Sequence, residues 1–180
     1  MPIYIGLLRG INVGGKNMIK MAELKKTLEA MGLVQVQTYL QSGNVLFQAD
    51  EESDSLRHRM EQEIGRVTGI SPTVVLRTAE EFQAIIAACP YDADTLQEGH
   101  SIQISILTEI PPPQTAEMLA KGKSSNDEFE IHGRDIYYLF RQSVLDSKLA
   151  SNIQKLGDTA TTRNWNTISK LGAMAKARQE

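Results

Sequence analysis

Gly10-Ile11-Asn12-Val13-Gly14-Gly15-Lys16-Asn17 comes within one residue of a phosphate-binding P-loop. The pattern G-x-x-x-x-G-K-[ST] ends in a hydroxyl that holds Mg²⁺ beside the phosphates. This chain has Asn17 there, and an amide is a poor ligand for a hard cation at that position. The loop has the character of an anion site without the part that makes an NTPase. Gly10, Gly14 and Gly15 permit positive φ and let backbone N–H groups turn toward a ligand. The start of the following helix adds roughly half a positive charge. Arg9 and Lys16 add full charges, and Arg9 can bind a carboxylate or phosphate in a bidentate manner.

The elements around this loop decide what it can be. An apolar run from Ile3 to Arg9 predicts a first strand, and Met21, Leu24, Leu28 and Met31 recur at helical spacing until Gly32. Strands near Val34–Leu40 and Asn44–Gln48 are joined by Gln41-Ser42-Gly43, a hairpin connection that makes them antiparallel. A helix with Leu56, Met60, Ile64 and Val67 on one face ends at Gly69, and Thr73–Leu76 forms a fourth strand. Strand-helix-strand-strand-helix-strand is the split βαβ of a ferredoxin-like plait. A tight hairpin is incompatible with the mainly parallel sheet of an NTPase, because parallel neighbours need long crossovers. In a plait the third strand lies between the first and the second. The topology therefore predicts that the glycine loop and Ser42-Gly43-Asn44 meet at one sheet edge, with Asn12, Ser42 and Asn44 as neutral hydrogen-bonding groups. For Ser42-Gly43-Asn44 alone, turn formation is the favoured reading, whereas the coincidence of cations and glycines across Arg9–Lys16 favours a site.

The rest of the chain reads as a second, degenerate copy. Thr78-Ala79-Glu80-Glu81 is a capping box opening a helix through Phe82, Ile85, Ile86 and Cys89, closed by Pro90. Ser101–Thr108 alternates as a half-buried strand, and Pro111-Pro112-Pro113 leads into a short helix. A hairpin pairs Glu128–Ile131 with Ile136–Phe140, and Leu145, Leu149, Ile153 and Leu156 line another helix. Thr159–Thr162 predicts a short last strand before a helix carrying Trp165, Ile168 and Leu171. The expected fold class is α+β: two ferredoxin-like units with mainly antiparallel sheets plus a C-terminal helix. The expected division is residues 1–90 for the first plait with its connecting helix and 91–180 for the second.

A third polar cluster, Thr161-Thr162-Arg163-Asn164-Trp165-Asn166-Thr167, is expected to open the terminal helix, with a threonine as its cap. Arg163 in a first helical turn would oppose the dipole by about 0.3–1 kcal/mol, which an anion or a carboxylate would relieve.

Other chemistries find no support. The three histidines, His58, His100 and His132, show no zinc spacing. Cys89 sits beside Ile85 and Ile86 and reads as a packed thiol. Tyr137, Tyr138 and Phe140 lack the RNP pattern of an RNA platform and read as core. The net charge of −3 gives no global attraction to nucleic acid or membranes. One cysteine, no leader-like segment and no long apolar run point to a cytoplasmic protein without a membrane partner.

Leu7–Asn17, Lys20–Leu24, Thr38–Phe47 and Ala160–Thr167 with Lys170-Leu171 closely resemble the motifs of the bacterial family catalogued as domain of unknown function 1697. The resemblance covers essentially the whole chain, although from about Ile70 to Leu156 it lies mainly in element order. Cys89-Pro90-Tyr91 stands where members often show an Asn-Pro-Phe-like segment. The resemblance implies a two-part α/β plait and no activity. It also implies that the three polar clusters are family motifs.

Together these readings lead to an expected binder of an anionic small molecule, a nucleotide or phosphorylated metabolite. Arg9, Lys16 and Arg163 would neutralise its charge. Gly10, Gly14 and Gly15 would present N–H groups, and Asn12, Ser42, Asn44, Asn164 and Asn166 would orient it. No metal or cofactor is implied, no catalytic residue stands out, and turnover and oligomeric state stay open. The alternatives are a nucleic-acid or protein-binding module using the same basic rim, or motifs with a purely structural role.

Overall fold

The computed structural model describes residues 1–179. They fall into two compact units, Met1–Ala84 with the chain from Lys170 onward, and Ile85–Ser169. Each is built on a four-stranded antiparallel sheet, so the architecture is α+β with two ferredoxin-like units and a C-terminal helix.

In the first unit, β1 (Ile3–Arg9), α1 (Met21–Ala30), β2 (Val34–Tyr39), β3 (Asn44–Gln48), α2 (Ser53–Thr68) and β4 (Thr73–Thr78) follow in the anticipated sequence. The sheet order is β2-β3-β1-β4. The register pairs Leu7 with Asn44 and Arg9 with Thr73, so the end of β1, the β2–β3 turn and the start of β4 share one sheet end. Alternation sends Tyr4, Leu8, Val45, Phe47, Val74 and Leu76 to one face, where they pack with Leu24, Leu28, Leu56, Met60 and Ile64 of the two helices. Helix α2 ends at Gly69, whose φ of 75° is the left-handed cap expected of glycine. Val67, expected on the buried stripe, is 50% exposed in the last turn of that helix. The stripe stops one turn earlier, at Ile64.

The capping box forms reciprocally. The Thr78 N–H donates to Glu81 Oε1 (2.9 Å) and the Glu81 N–H to Thr78 Oγ1 (3.2 Å). It opens α3 (Ala79–Ala87), which stops before Cys89.

The second unit repeats the order with β5 (Ser101–Leu107), α4 (Pro113–Ala120), β6 (Asp127–His132), β7 (Asp135–Phe140), α5 (Lys148–Ile153) and β8 (Ala160–Asn164). Its sheet order, β6-β7-β5-β8, matches that of the first unit strand for strand. Strand β5 is buried on both faces and not half-buried as its alternation suggests. Ser105 is wholly enclosed, and its hydroxyl lies 2.8 Å from Tyr138 OH and 2.6 Å from Thr162 Oγ1. A hydroxyl cluster satisfies the polar positions that a one-sided reading would place in water. Tyr137, Tyr138 and Phe140 are core residues, as expected.

Two expectations fail here. Leu145 is not on a buried helical stripe: it sits in a 3-10 turn, Val144–Asp146, and is 93% exposed. Strand β8 runs on through Asn164, so Arg163 pairs with Ile104 in the sheet and the terminal helix α6 starts only at Trp165. The dipole argument for Arg163 therefore lapses.

Gly122, just past the end of α4, lies directly against the first turn of α5. A Cβ there would lie 2.7 Å from the backbone N and Cα of Leu149. Gly122→Ala should therefore force the helices apart and destabilise the protein by about 1–3 kcal/mol, read from the shift of a urea unfolding midpoint at constant slope.

Candidate functional site

The glycine loop folds as a miniature hairpin. Lys16 N–H donates to Val13 O and Asn12 N–H to Asn17 O, both at 3.0 Å. Gly14 (φ 58°) and Gly15 (φ 74°) form the central pair of the turn, the double positive φ that a type I′ turn requires. Asn12 and Asn17 flank it, also at positive φ. Asn17, the residue that spoils the P-loop pattern, donates its side-chain amide to Gly10 O at 3.0 Å. It closes the base of the loop where a P-loop would hold a cation.

Asn12 joins this loop to its surroundings. Its Oδ1 accepts from Ile19 N–H (2.7 Å), and its Nδ2 donates to Ile19 O (3.0 Å) and to Gln41 O (2.6 Å). The last bond ties the loop to the β2–β3 turn, so the anticipated meeting of two distant polar segments occurs. Apolar packing reinforces it. Gly43, at φ 91°, lies so close to Ile11 that a Cβ there would stand 2.6 Å from Ile11 Cδ1. Leu8 N–H also donates to Gly43 O at 2.8 Å.

Asn44 is completely buried and donates to Tyr39 O (2.7 Å) and Ser42 Oγ (3.0 Å). Ser42 and Asn44 thus lock their own turn. Arg9 is half-buried at the end of β1 and has interactions within the fold. Lys16 is exposed, as are Gly10, Gly14 and Gly15.

Helix α1 starts at Met21 with Lys20 as its N-cap residue, several residues beyond Lys16, and no side chain caps it. Lys20 went unselected in the sequence. Its signal was charge pattern: residues 7–22 and 38–46 carry Arg9, Lys16 and Lys20 and no carboxylate, the nearest acidic groups being Glu23 in the first turn of α1 and Glu61, which accepts from Val74 N–H at the start of β4. At the far end of the sheet, Asp50, Glu51 and Glu52 follow β3. The rim also exposes Val13 (64%), Met18 (63%) and Leu40 (50%), apolar residues that no polar-motif search would select.

The third cluster lies in the second unit. Asn164, not a threonine, caps α6, its Oδ1 accepting from Thr167 N–H at 2.9 Å. Arg163 donates to Thr162 O at 3.0 Å, and burial pushes its guanidinium down to about 10. Asn166 is exposed in the first turn of α6. Cys89 is half-buried beyond the end of α3 and not on its apolar face; it donates weakly to Tyr91 O at 3.5 Å, and burial raises its thiol pKa. Among the described residues no cluster of three His, Cys, Asp or Glu side chains could hold a metal, and no helix is long and apolar enough to cross a membrane.

Two plaits in tandem, with asparagine-locked turns at the rim of the first, define the class. The family described as a protein of unknown function, DUF1697, matches residues 1–137, and the chain belongs to it. A solved structure of the conserved bacterial protein SP0830 from Streptococcus pneumoniae is similar over 97% of this chain and 98% of that one, at 25% identity and a TM-score of 0.81. No curated protein matches.

If Asn12 is the tie between loop and turn, Asn12→Ala should destabilise the first unit by about 1–3 kcal/mol, since it leaves Ile19 and Gln41 groups unpaired. Amide hydrogen exchange should then speed up first at Ile19 and in the 40–43 turn.

Proposed function

We propose that the first unit's rim is an anion-recognition surface, and that it fits an anion carried on the surface of a larger partner better than a metabolite enclosed in a pocket. One observation carries this reading. Lys16 stands on a projecting two-glycine turn beside exposed Val13 and Met18, with Lys20 and Leu40 on the same rim and no carboxylate among residues 7–22 and 38–46. Among the described residues neither Lys16 nor Lys20 forms an ion pair. A cationic projection with apolar flanks suits contact with a surface, where charge steers and apolar area holds.

Leu40 adds support. It has φ 62°, a conformation that costs a branched residue on the order of 1–3 kcal/mol, yet its side chain is half in water. Packing within the unit does not explain why leucine occupies such a position.

The reading as a binder of a nucleotide or phosphorylated metabolite draws on the same cations and on the exposed Gly14 and Gly15. The amides once cast as ligand-orienting groups (Asn12, Ser42 and Asn44) are occupied by turn-locking bonds, and this moves the balance toward a surface. Of the residues assigned to the same ligand from sequence, Arg163 is held in β8 and Asn164 caps α6, Asn166 is exposed, and the proposed surface does not require them.

The test is fluorescence anisotropy with a labelled single-stranded oligonucleotide and with labelled polyglutamate, across a salt series. Binding to either should weaken steeply as salt rises and should fall at least about tenfold in Lys16→Glu/Lys20→Glu. Thermal-shift screening of nucleotides and sugar phosphates covers the small-molecule reading. Silence in all three assays, or binding unchanged in the double variant, would sink the proposal.

A further inference from the structure

The second unit carries a braced apolar knob in the 3-10 turn before α5 and a cavity of mixed lining in the stretch after it. The knob is Leu145, 93% exposed, with Val144 beside it at 37%. Such exposure in a leucine usually means a mobile loop, but this one is braced. Ser143 Oγ accepts from Leu145 N–H at 3.3 Å, and Ser147 Oγ accepts from Ala150 N–H at 3.0 Å as the cap of α5. Behind them, Gln142 Nε2 and Ser147 Oγ both donate to Oδ2 of Asp127, each at 2.7 Å, and Asp127 is completely buried. A buried carboxylate thus holds both ends of the turn that presents Leu145. An anchor fixed before contact loses little freedom on contact.

The cavity, about 300 Å³, is lined by Leu107, Pro111, Met118 and Leu156, with Glu109 and Lys155 among its polar groups. It lies at the Leu107 end of β5, whereas the knob follows Phe140, which pairs with Ser101 at the other end of that strand. From Leu145 to Leu156 the chain passes through extended Ser147, α5 and a 3-10 stretch, so knob and cavity are separated by at most roughly 20 Å along it.

Two copies meeting with their α5 segments antiparallel would seat each knob at the other's cavity. The contact is self-complementary and closes as a two-fold dimer. Charge agrees with this pairing. Asp146 and Lys148 flank Leu145, and the cavity offers Lys155 and Glu109, the opposite signs. Among the described residues none of the four forms an ion pair. In the antiparallel register Asp146 falls beside Lys155 of the other copy. The exposed line along α5, Lys148, Ser151 and Lys155, has the small Ser151 near its middle, where the two helices would approach most closely. We infer that the chain forms a homodimer in which Leu145 of each copy enters the Leu107–Met118–Leu156 cavity of the other.

Sedimentation velocity over a wide concentration range tests this on the full chain. The wild type should show a monomer–dimer equilibrium, and Leu145→Asp should weaken it at least about thirtyfold, as loss of a buried anchor does. Asp146→Lys and Lys155→Asp should each weaken dimerisation, and the double variant should restore it, because both pairs are then reversed. At a concentration where the wild type is monomeric, circular dichroism melts should be the same for Leu145→Asp, whose side chain lies in water in the monomer, whereas at dimeric concentrations the wild type should melt higher. A wild type monomeric at its highest soluble concentration would overturn the inference. So would a dimer indifferent to Leu145→Asp, or a double variant no tighter than the singles.

Discussion

Strand β1 is hydrogen-bonded along both edges, antiparallel to β3 on one side and β4 on the other. Most of what is distinctive in the first unit follows from that. With both edges occupied, the end of β1 can only emerge between the β2–β3 turn and the start of β4. The chain must then climb over the turn to reach α1, and this short climb is where the glycines, asparagines and cations are concentrated. Loss of the β1–β3 register by one residue would exchange the two faces of the strand and carry Leu8 out of its core.

The rim itself shows how a loop of glycines and amides becomes rigid. Backbone at positive φ is needed at Asn12, Gly14, Gly15 and Asn17 in close succession, and the residue types match that need. The amides then satisfy the loop's own carbonyls. Asn17 bonds Gly10, and Asn12 bonds both Ile19 and Gln41. What remains outward is lysine and apolar surface.

Both units were legible as plaits because the relevant signals are local. Period-two alternation, a hairpin too short for a crossover and stripes at helical spacing needed no distant information. Errors appeared where a local signal competed with a tertiary one. Thr161-Thr162 reads as a cap before a helix, yet pairing with β5 extends the strand through Asn164, and the cap moves to that residue. Leu145 reads as the first member of a buried leucine stripe. The bonds from Gln142 and Ser147 to Asp127 turn the chain outward before the helix starts.

The candidate site divides along the same line. Residue types alone placed a cationic, positive-φ loop between β1 and α1, and the plait topology they implied put it beside Ser42–Asn44. Sequence also carried the charge segregation of the rim. Tertiary structure decided which of those groups face inward and which outward: Asn12 reaches Gln41 across 29 positions, and strand pairing sets Asn44 opposite Leu7 and Arg163 opposite Ile104. It also exposed Val13, Met18, Leu40 and Leu145. Apolar residues look alike in sequence whether buried or bare, and only the packing around them distinguishes a core from a contact surface.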